Sequence, residues 1–128
     1  MSKVVLDASA LLALLNEEPG AERLTDELLS NAVASTVSLA EVQSKLVSSG
    51  AAADESWKFI STLVSEVIPF TAEQARIAGD LVLQTRAAGL SLGDRACLAL
   101  GATLNVPVYT TDRAWKGLKL GVRVHLLR

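Results

Sequence analysis

A chain of 128 residues is long enough to bury one substantial core without disulfides or structural metals, and a single domain over 1–128 is expected. Half its residues are hydrophobic and a fifth charged, which favours either a partner or dimer that covers apolar surface, or an Ala- and Leu-rich helical protein. The net charge of −2 excludes no partner, whereas the single cysteine, Cys97, excludes a disulfide framework, and no apolar run attains the roughly 18 residues of a membrane helix.

Val4, Val5 and Leu6 form a short apolar run ending at Asp7, the pattern of a strand buried on both faces. Asp7 follows the N-terminus too soon for a signal peptide, so the cytoplasm is the expected compartment. Ser9 is expected to cap a helix carrying Leu11, Leu12, Leu14 and Leu15, stopped before Pro19 and Gly20, with a second helix from about Ala21 to Leu29. Ala34 to Val37 reads as strand two. Ser38 with Glu41 three residues later reads as a capping box opening a helix that stops at Gly50. A helix over about Ala53 to Leu63 and a strand at Val67 and Ile68, closed by Pro69, come next. Thr71 with Gln74 heads a long helix to about Ala88, ended by Gly89, and Ser91 with Asp94 opens another through Leu104. A strand over Val106 to Thr110, a short helix over Asp112 to Leu118 and a strand over Val122 to Leu126 complete the chain. Strands alternating with helices predict a three-layer α/β/α sandwich around a mostly parallel sheet with right-handed crossovers.

In such sheets ligands collect beyond the carboxyl ends of the strands, where Asp7 and Asp112 are expected as neighbours. Glu41 and Asp94 lie in the first turns of predicted helices at the same rim. Each acid has a plain structural reading as a cap or first-turn charge. Four carboxylates at one rim repel one another, however, and such a cluster persists when a cation neutralises it. With oxygen donors only, the cation would be hard, magnesium or manganese rather than zinc, and the chemistry metal-assisted hydrolysis of a phosphodiester.

Val4-Val5-Leu6-Asp7-Ala8-Ser9-Ala10-Leu11-Leu12-Ala13-Leu14-Leu15 resembles the opening of PIN domains, and Leu92-Gly93-Asp94-Arg95-Ala96-Cys97-Leu98-Ala99 their central acidic helix. Tyr109-Thr110-Thr111-Asp112-Arg113-Ala114-Trp115 resembles the closing motif of the VapC toxins in that family, with Ser38-Leu39-Ala40-Glu41-Val42 in between. From Gly50 to Thr85 the likeness is helical patterning alone. The resemblance implies an endoribonuclease toxin that uses Mg2+ or Mn2+ and is silenced by a cognate VapB-type antitoxin, as a homodimer or higher assembly. It implies Asp7, Glu41, Asp94 and Asp112 as catalytic and metal-binding acids, with Ser9 and Thr110 as supporting hydroxyls. Arg95 and Arg113, each following a quartet acid, either contact RNA phosphate or pair with the acids. The basic end after Asp112 (Arg113, Lys116, Lys119, Arg123, Arg128) either faces phosphate or is ordinary solvated surface.

The alternative is a non-catalytic PIN-fold module that binds RNA or protein. A haloacid-dehalogenase-type phosphatase would need a second aspartate where Ser9 stands, and the chain has neither the residues of a receiver domain nor a P-loop. Trp57, Trp115 and His125 read as packing residues, and Cys97 as a small buried hydrophobe. The excess of leucines in the first helix predicts a groove for a partner's apolar segment.

Overall fold

The computed structural model describes residues 2–128; Met1 lies outside the described residues. Val4, Val5 and Leu6 are all buried and form β1 (Val4–Leu6), paired in parallel with β2 (Ala32–Ser35) on one side and β4 (Val108–Thr110) on the other. β3 (Glu66–Ile68) extends the sheet beyond β2, and β5 (Val124–Leu126) beyond β4. Among the described residues this gives one five-stranded sheet in the order β3-β2-β1-β4-β5, every pair parallel.

Alternation along the strands divides the core between two faces. Val4, Leu6, Ala32 and Ala34 pack with Leu11, Leu39 and Val42 on one face, while Val5, Val33 and Val108 pack with Cys97, Leu98 and Leu100 on the other. Each fully buried aliphatic side chain contributes about 1.5–3 kcal/mol relative to exposure, so a strand buried on both faces is strongly specified. The first face is covered by α1 (Ala8–Leu15), α2 (Asp26–Leu29), α3 (Thr36–Ser48) and α4 (Ala53–Ile60). The second carries α5 (Ala72–Asp80), followed by the single turn α6 (Val82–Thr85), and α7 (Leu92–Leu104). The three layers and the parallel sheet agree with the expectation from sequence.

Several boundaries differ from it. Asp7, not Ser9, caps α1, its carboxylate accepting from the Ala10 amide. β2 starts two residues early because Ala32 and Val33 pair with Val4 and Val5, so Ser35 rather than Ser38 becomes the cap of α3. Ser38 is then buried inside the helix, its hydroxyl without a hydrogen-bond partner, and Glu41 moves to the second turn. The expected helix from Ala21 to Leu29 divides into a 3-10 turn (Ala21–Arg23) and α2, because Thr25 caps anew. The helix from Thr71 divides likewise at Leu81, and the segment after Asp112 is only a 3-10 turn, Arg113–Trp115. Ser91 and Asp94 form the capping box expected of them, at the head of α7. No helix among the described residues is long and apolar enough to cross a membrane.

Candidate functional site

The strand order reverses at β1: the chain moves outward through β2 to β3, then returns to β4 on the other side of β1. A reversal of this kind opens a crevice beyond the carboxyl ends of two neighbouring strands. Asp7 follows β1 there, and Thr110 ends β4 beside it.

Asp7 is buried, and its carboxylate joins the two strand ends. Oδ1 accepts from Ser9 Oγ and from the Ala10 amide, each at 2.7 Å, and Oδ2 accepts from Thr110 Oγ1 at 2.5 Å. The two hydroxyls work in both directions: Ser9 Oγ accepts from the Thr111 amide at 3.0 Å, and Thr110 Oγ1 from the Asp112 amide at 3.1 Å. Burial pushes the Asp7 carboxyl up to about 6 although the Thr110, Ser9 and Ala10 hydrogen bonds all oppose it, and the charge of Asp94 adds to the rise.

Glu41 comes to the same rim because α3 packs on α7. A Cβ on Gly93 would overlap Glu41 Oε1, so this approach exists only because position 93 is glycine. Burial raises the proton affinity of Glu41, Asp94 raises it further, and Lys45 opposes both. Asp94 holds the capping box, its Oδ2 accepting from the Ser91 amide at 2.9 Å. Glu41 and Asp94 line a hollow of about 310 Å3 together with Ser9, Lys45, Thr111 and Arg128.

Asp112 stands differently. It is exposed, does not line this hollow, and its Oδ1 accepts from the Ala114 amide at 2.9 Å, joined to the others only through its own amide and Thr110. The four acids thus stand as two groupings, Glu41 with Asp94 on the hollow and Asp7 with Asp112 about Thr110. Asp94 raises the proton affinity of both Asp7 and Glu41, yet as they are placed, among the described residues, no three acidic, histidine or cysteine side chains form a group that could hold a metal ion. Asp7, Asp94 and Asp112 each accept from a backbone amide within three residues.

The expected pairing of Arg95 with a neighbouring acid is not seen among the described residues. Its Nη1 donates to the Ala78 carbonyl of α5 at 2.8 Å, with no ion pair to Asp94. Arg113 is exposed and makes no ion pair among the described residues. Of the five basic residues after Asp112, only Arg128 lines the hollow, held by Glu18 at 3.0 Å and by the Pro19 carbonyl at 2.8 Å. Reading the sequence missed Gly93, Lys45 and Glu18, and offered Arg128 only as one of a basic run. Lys45, one helical turn after Glu41, carried a signal in its spacing. The Glu18–Arg128 pair, 110 residues apart, carried none.

Cys97 and Trp115 are buried as expected, whereas Trp57 is 45% exposed. His125 stacks on Tyr109, ring centroids 4.9 Å apart. Away from the acids, a groove of about 650 Å3 is lined by Leu14, Leu15, Leu29, Phe59 and Leu63, with Glu17 and Asp26 also on its walls.

The PIN domain family model matches residues 4–119. No curated protein matches the chain by sequence. Among solved structures the chain is similar to a toxin-antitoxin complex from Klebsiella pneumoniae, at 16% identity over 98% of both chains with a TM-score of 0.75. It is similar to DNA-bound VapBC from Salmonella typhimurium at 18% identity over 100% of both chains, TM-score 0.73. It is also similar to VapC20 of Mycobacterium tuberculosis, a toxin that cleaves the sarcin-ricin loop, at 18% identity over 86% of this chain and 90% of that one, TM-score 0.70. At such identities the likeness establishes the fold.

Proposed function

The chain belongs to the PIN-domain family, and from the buried carboxylate network on which its rim is built we propose that it is a Mg2+- or Mn2+-dependent endoribonuclease, the toxin of a type II toxin-antitoxin pair. The observation that carries this reading is Asp7. A carboxyl pushed up to about 6, held by three donors at a strand-order reversal with Asp94 and Glu41 acting on it or beside it, costs stability and is hard to explain by packing.

The donor set suits a hard divalent cation in kind, since every candidate ligand is a carboxylate or hydroxyl oxygen, and Glu41 reaches the rim through the space that Gly93 leaves. Asp7, Glu41, Asp94 and Asp112 are the residues that would hold it. Bound there, a divalent cation supplies polarisation of the phosphodiester and activation of water. The chain's own contribution is positional: Ser9 and Thr110 fix the Asp7 carboxylate, Gly93 admits Glu41, and the Ser91 cap orients Asp94. Arg113, exposed and free of ion pairs, remains a candidate for RNA phosphate.

As a single nuclease domain acting in the cytoplasm, the chain would be held inactive by a VapB-type antitoxin, as part of a dimeric or larger assembly. The toxin-antitoxin complexes among its structural neighbours support that partner, and the apolar groove of Leu14, Leu15, Leu29, Phe59 and Leu63 supports an apolar segment as what docks.

Purified protein is expected to cut RNA with added magnesium or manganese and to stop in excess EDTA, with Asp94→Asn run alongside to exclude a contaminating nuclease. Cleavage that persists undiminished in EDTA, or equally in the variant, would overturn the assignment. RNA binding without cleavage under any metal would favour the non-catalytic module instead.

A further inference from the structure

Two hollows meet beside the acids. The one holding Ser9, Glu41 and Asp94 shares Leu12, Glu18 and Lys45 with a second, of about 480 Å3, whose far end reaches Asn16, Ser48 and Ser49. Together they make one groove running from the acid rim along the seam between α1 and α3. Its walls are mixed: Leu12 and Leu46 are apolar, while the hydroxyls of Ser48 and Ser49 both donate to the Lys45 carbonyl and leave their oxygens free to accept.

The charges along the groove are unequal. Glu18 and Arg128 pair at 3.0 Å and cancel, so the groove beyond the acids owes its sign to Lys45. Among the described residues Lys45 makes no ion pair, although Glu41 lies one helical turn before it on the same face. It therefore stands exposed and free of a close ion pair where the two hollows join, with Glu41 and Glu18 within its electrostatic reach. The four residues from Glu41 to Lys45 rise about 6 Å along the helix axis, comparable to the spacing of neighbouring phosphates on a single strand. An unpaired cation at that offset from an acidic rim is placed to receive a phosphate neighbouring the one at the acids.

Building on the nuclease reading, we propose that Lys45 binds the phosphate adjacent to the scissile one and that the α1–α3 groove carries the RNA strand away from the cut. The apolar Leu12 and Leu46 then lie against ribose or base, and Ser48 and Ser49 accept from them.

The test measures binding of a short labelled single-stranded oligoribonucleotide to the Asp94→Asn protein in magnesium across a salt series, with Lys45→Ala, Lys45→Arg and Lys58→Ala added in turn. Lys58 is exposed on α4 and lines neither hollow. Lys45→Ala is expected to weaken binding about tenfold at low salt, the equivalent of one charge-assisted hydrogen bond. It should also flatten the slope of log affinity against log salt by about 0.7, one phosphate contact on a single strand. Lys45→Arg should restore both, and Lys58→Ala should leave both unchanged. In the cleaving protein the loss from Lys45→Ala should fall on KM rather than kcat. If the wild type cuts RNA while Lys45→Ala binds with the parental slope, this proposal fails and the nuclease reading stands. A Lys45→Ala protein that loses its protein partner but keeps its RNA slope assigns the groove to that partner and likewise overturns the proposal. Wild type that neither binds nor cuts RNA overturns both.

Discussion

Gly93 has no side chain at the point where Glu41 places its carboxylate, and a Cβ there would overlap Glu41 Oε1. The atom in the way is the far end of a flexible side chain, so Gly93→Ala can fold by displacing Glu41. Alanine in a helix is favoured over glycine by about 1 kcal/mol, and the variant is expected to melt at or above the wild-type temperature. Moving a site carboxylate by an ångström costs on the order of a hundredfold in rate, so cleavage should fall while stability does not. Gly101→Ala is the contrast, because its Cβ would stand 2.6 Å from Val108 Cγ2 and 3.2 Å from the Val106 carbonyl inside the core. It should lose about 1–3 kcal/mol of stability by overpacking. Paired melts and cleavage assays decide; a fully active Gly93→Ala protein would remove Glu41 from the site.

Thr110 Oγ1 donates to Asp7 and accepts from the Asp112 amide, so Thr110→Val breaks two bonds with almost no change of shape. Leaving buried groups unpaired costs about 1–3 kcal/mol. The Thr110 hydrogen bond is the largest influence lowering the Asp7 proton affinity, so its loss should raise the Asp7 pKa above about 6. If ionised Asp7 serves the reaction, the acid limb of the pH–rate profile moves to higher pH, which a purely structural role for Thr110 would not produce. An acid limb that stays in place would contradict that link.

The layers and the sheet were legible because Val4–Leu6 is a short apolar run buried on both faces, a pattern that survives any detail of capping. Caps were less so. Ser35 and Ser38 are both serines within one turn, and only the pairing of Ala32 with Val4 decides which of them starts α3. Asp7 and Ser9 posed the same ambiguity. Of the candidate site, the acids were visible as residues, but their commitments were not: whether Asp112 faces the rim or the Ala114 amide depends on a 3-10 turn of three residues, which no periodicity reveals. Gly93 was hidden because its role is a matter of absent volume opposite a residue 52 positions away in the chain.

The Asp7 carboxyl also makes stability depend on pH. Its folded value, about 6, lies above the ordinary aspartate value of 3.8, so between these the folded protein binds more protons than the unfolded one. Stability contributed by protonated Asp7 is therefore fully present below about 3.8 and is lost as pH rises through about 6. The loss is on the order of 3 kcal/mol at 1.36 kcal/mol per unit. Asp7→Asn should abolish this portion of the pH dependence and match or exceed the wild type at pH 7 in EDTA, as read by denaturant unfolding between pH 4 and pH 7. A variant that keeps the wild-type slope across that range would mean that Asp7 is not the group responsible.

Asp94 belongs both to the cap of α7 and to the electrostatic neighbourhood of Asp7 and Glu41, and Asp94→Asn therefore has two opposed effects. Replacing the charge weakens the first-turn interaction by about 0.3–1 kcal/mol. It also relieves repulsion that raises the proton affinity of both neighbours, an effect of the opposite sign. In EDTA the two should nearly cancel, leaving the variant within about 1 kcal/mol of wild type while both neighbouring carboxyls titrate at lower pH. Magnesium separates the roles. A cation bound only by the folded state stabilises it by about 2.7 kcal/mol at a hundredfold excess over Kd, and this gain should appear in wild type and largely vanish in the variant. Thermal melts of both proteins, with EDTA and with magnesium, measure all four states. Equal stabilisation of the two by magnesium would leave Asp94 a helix cap and nothing more.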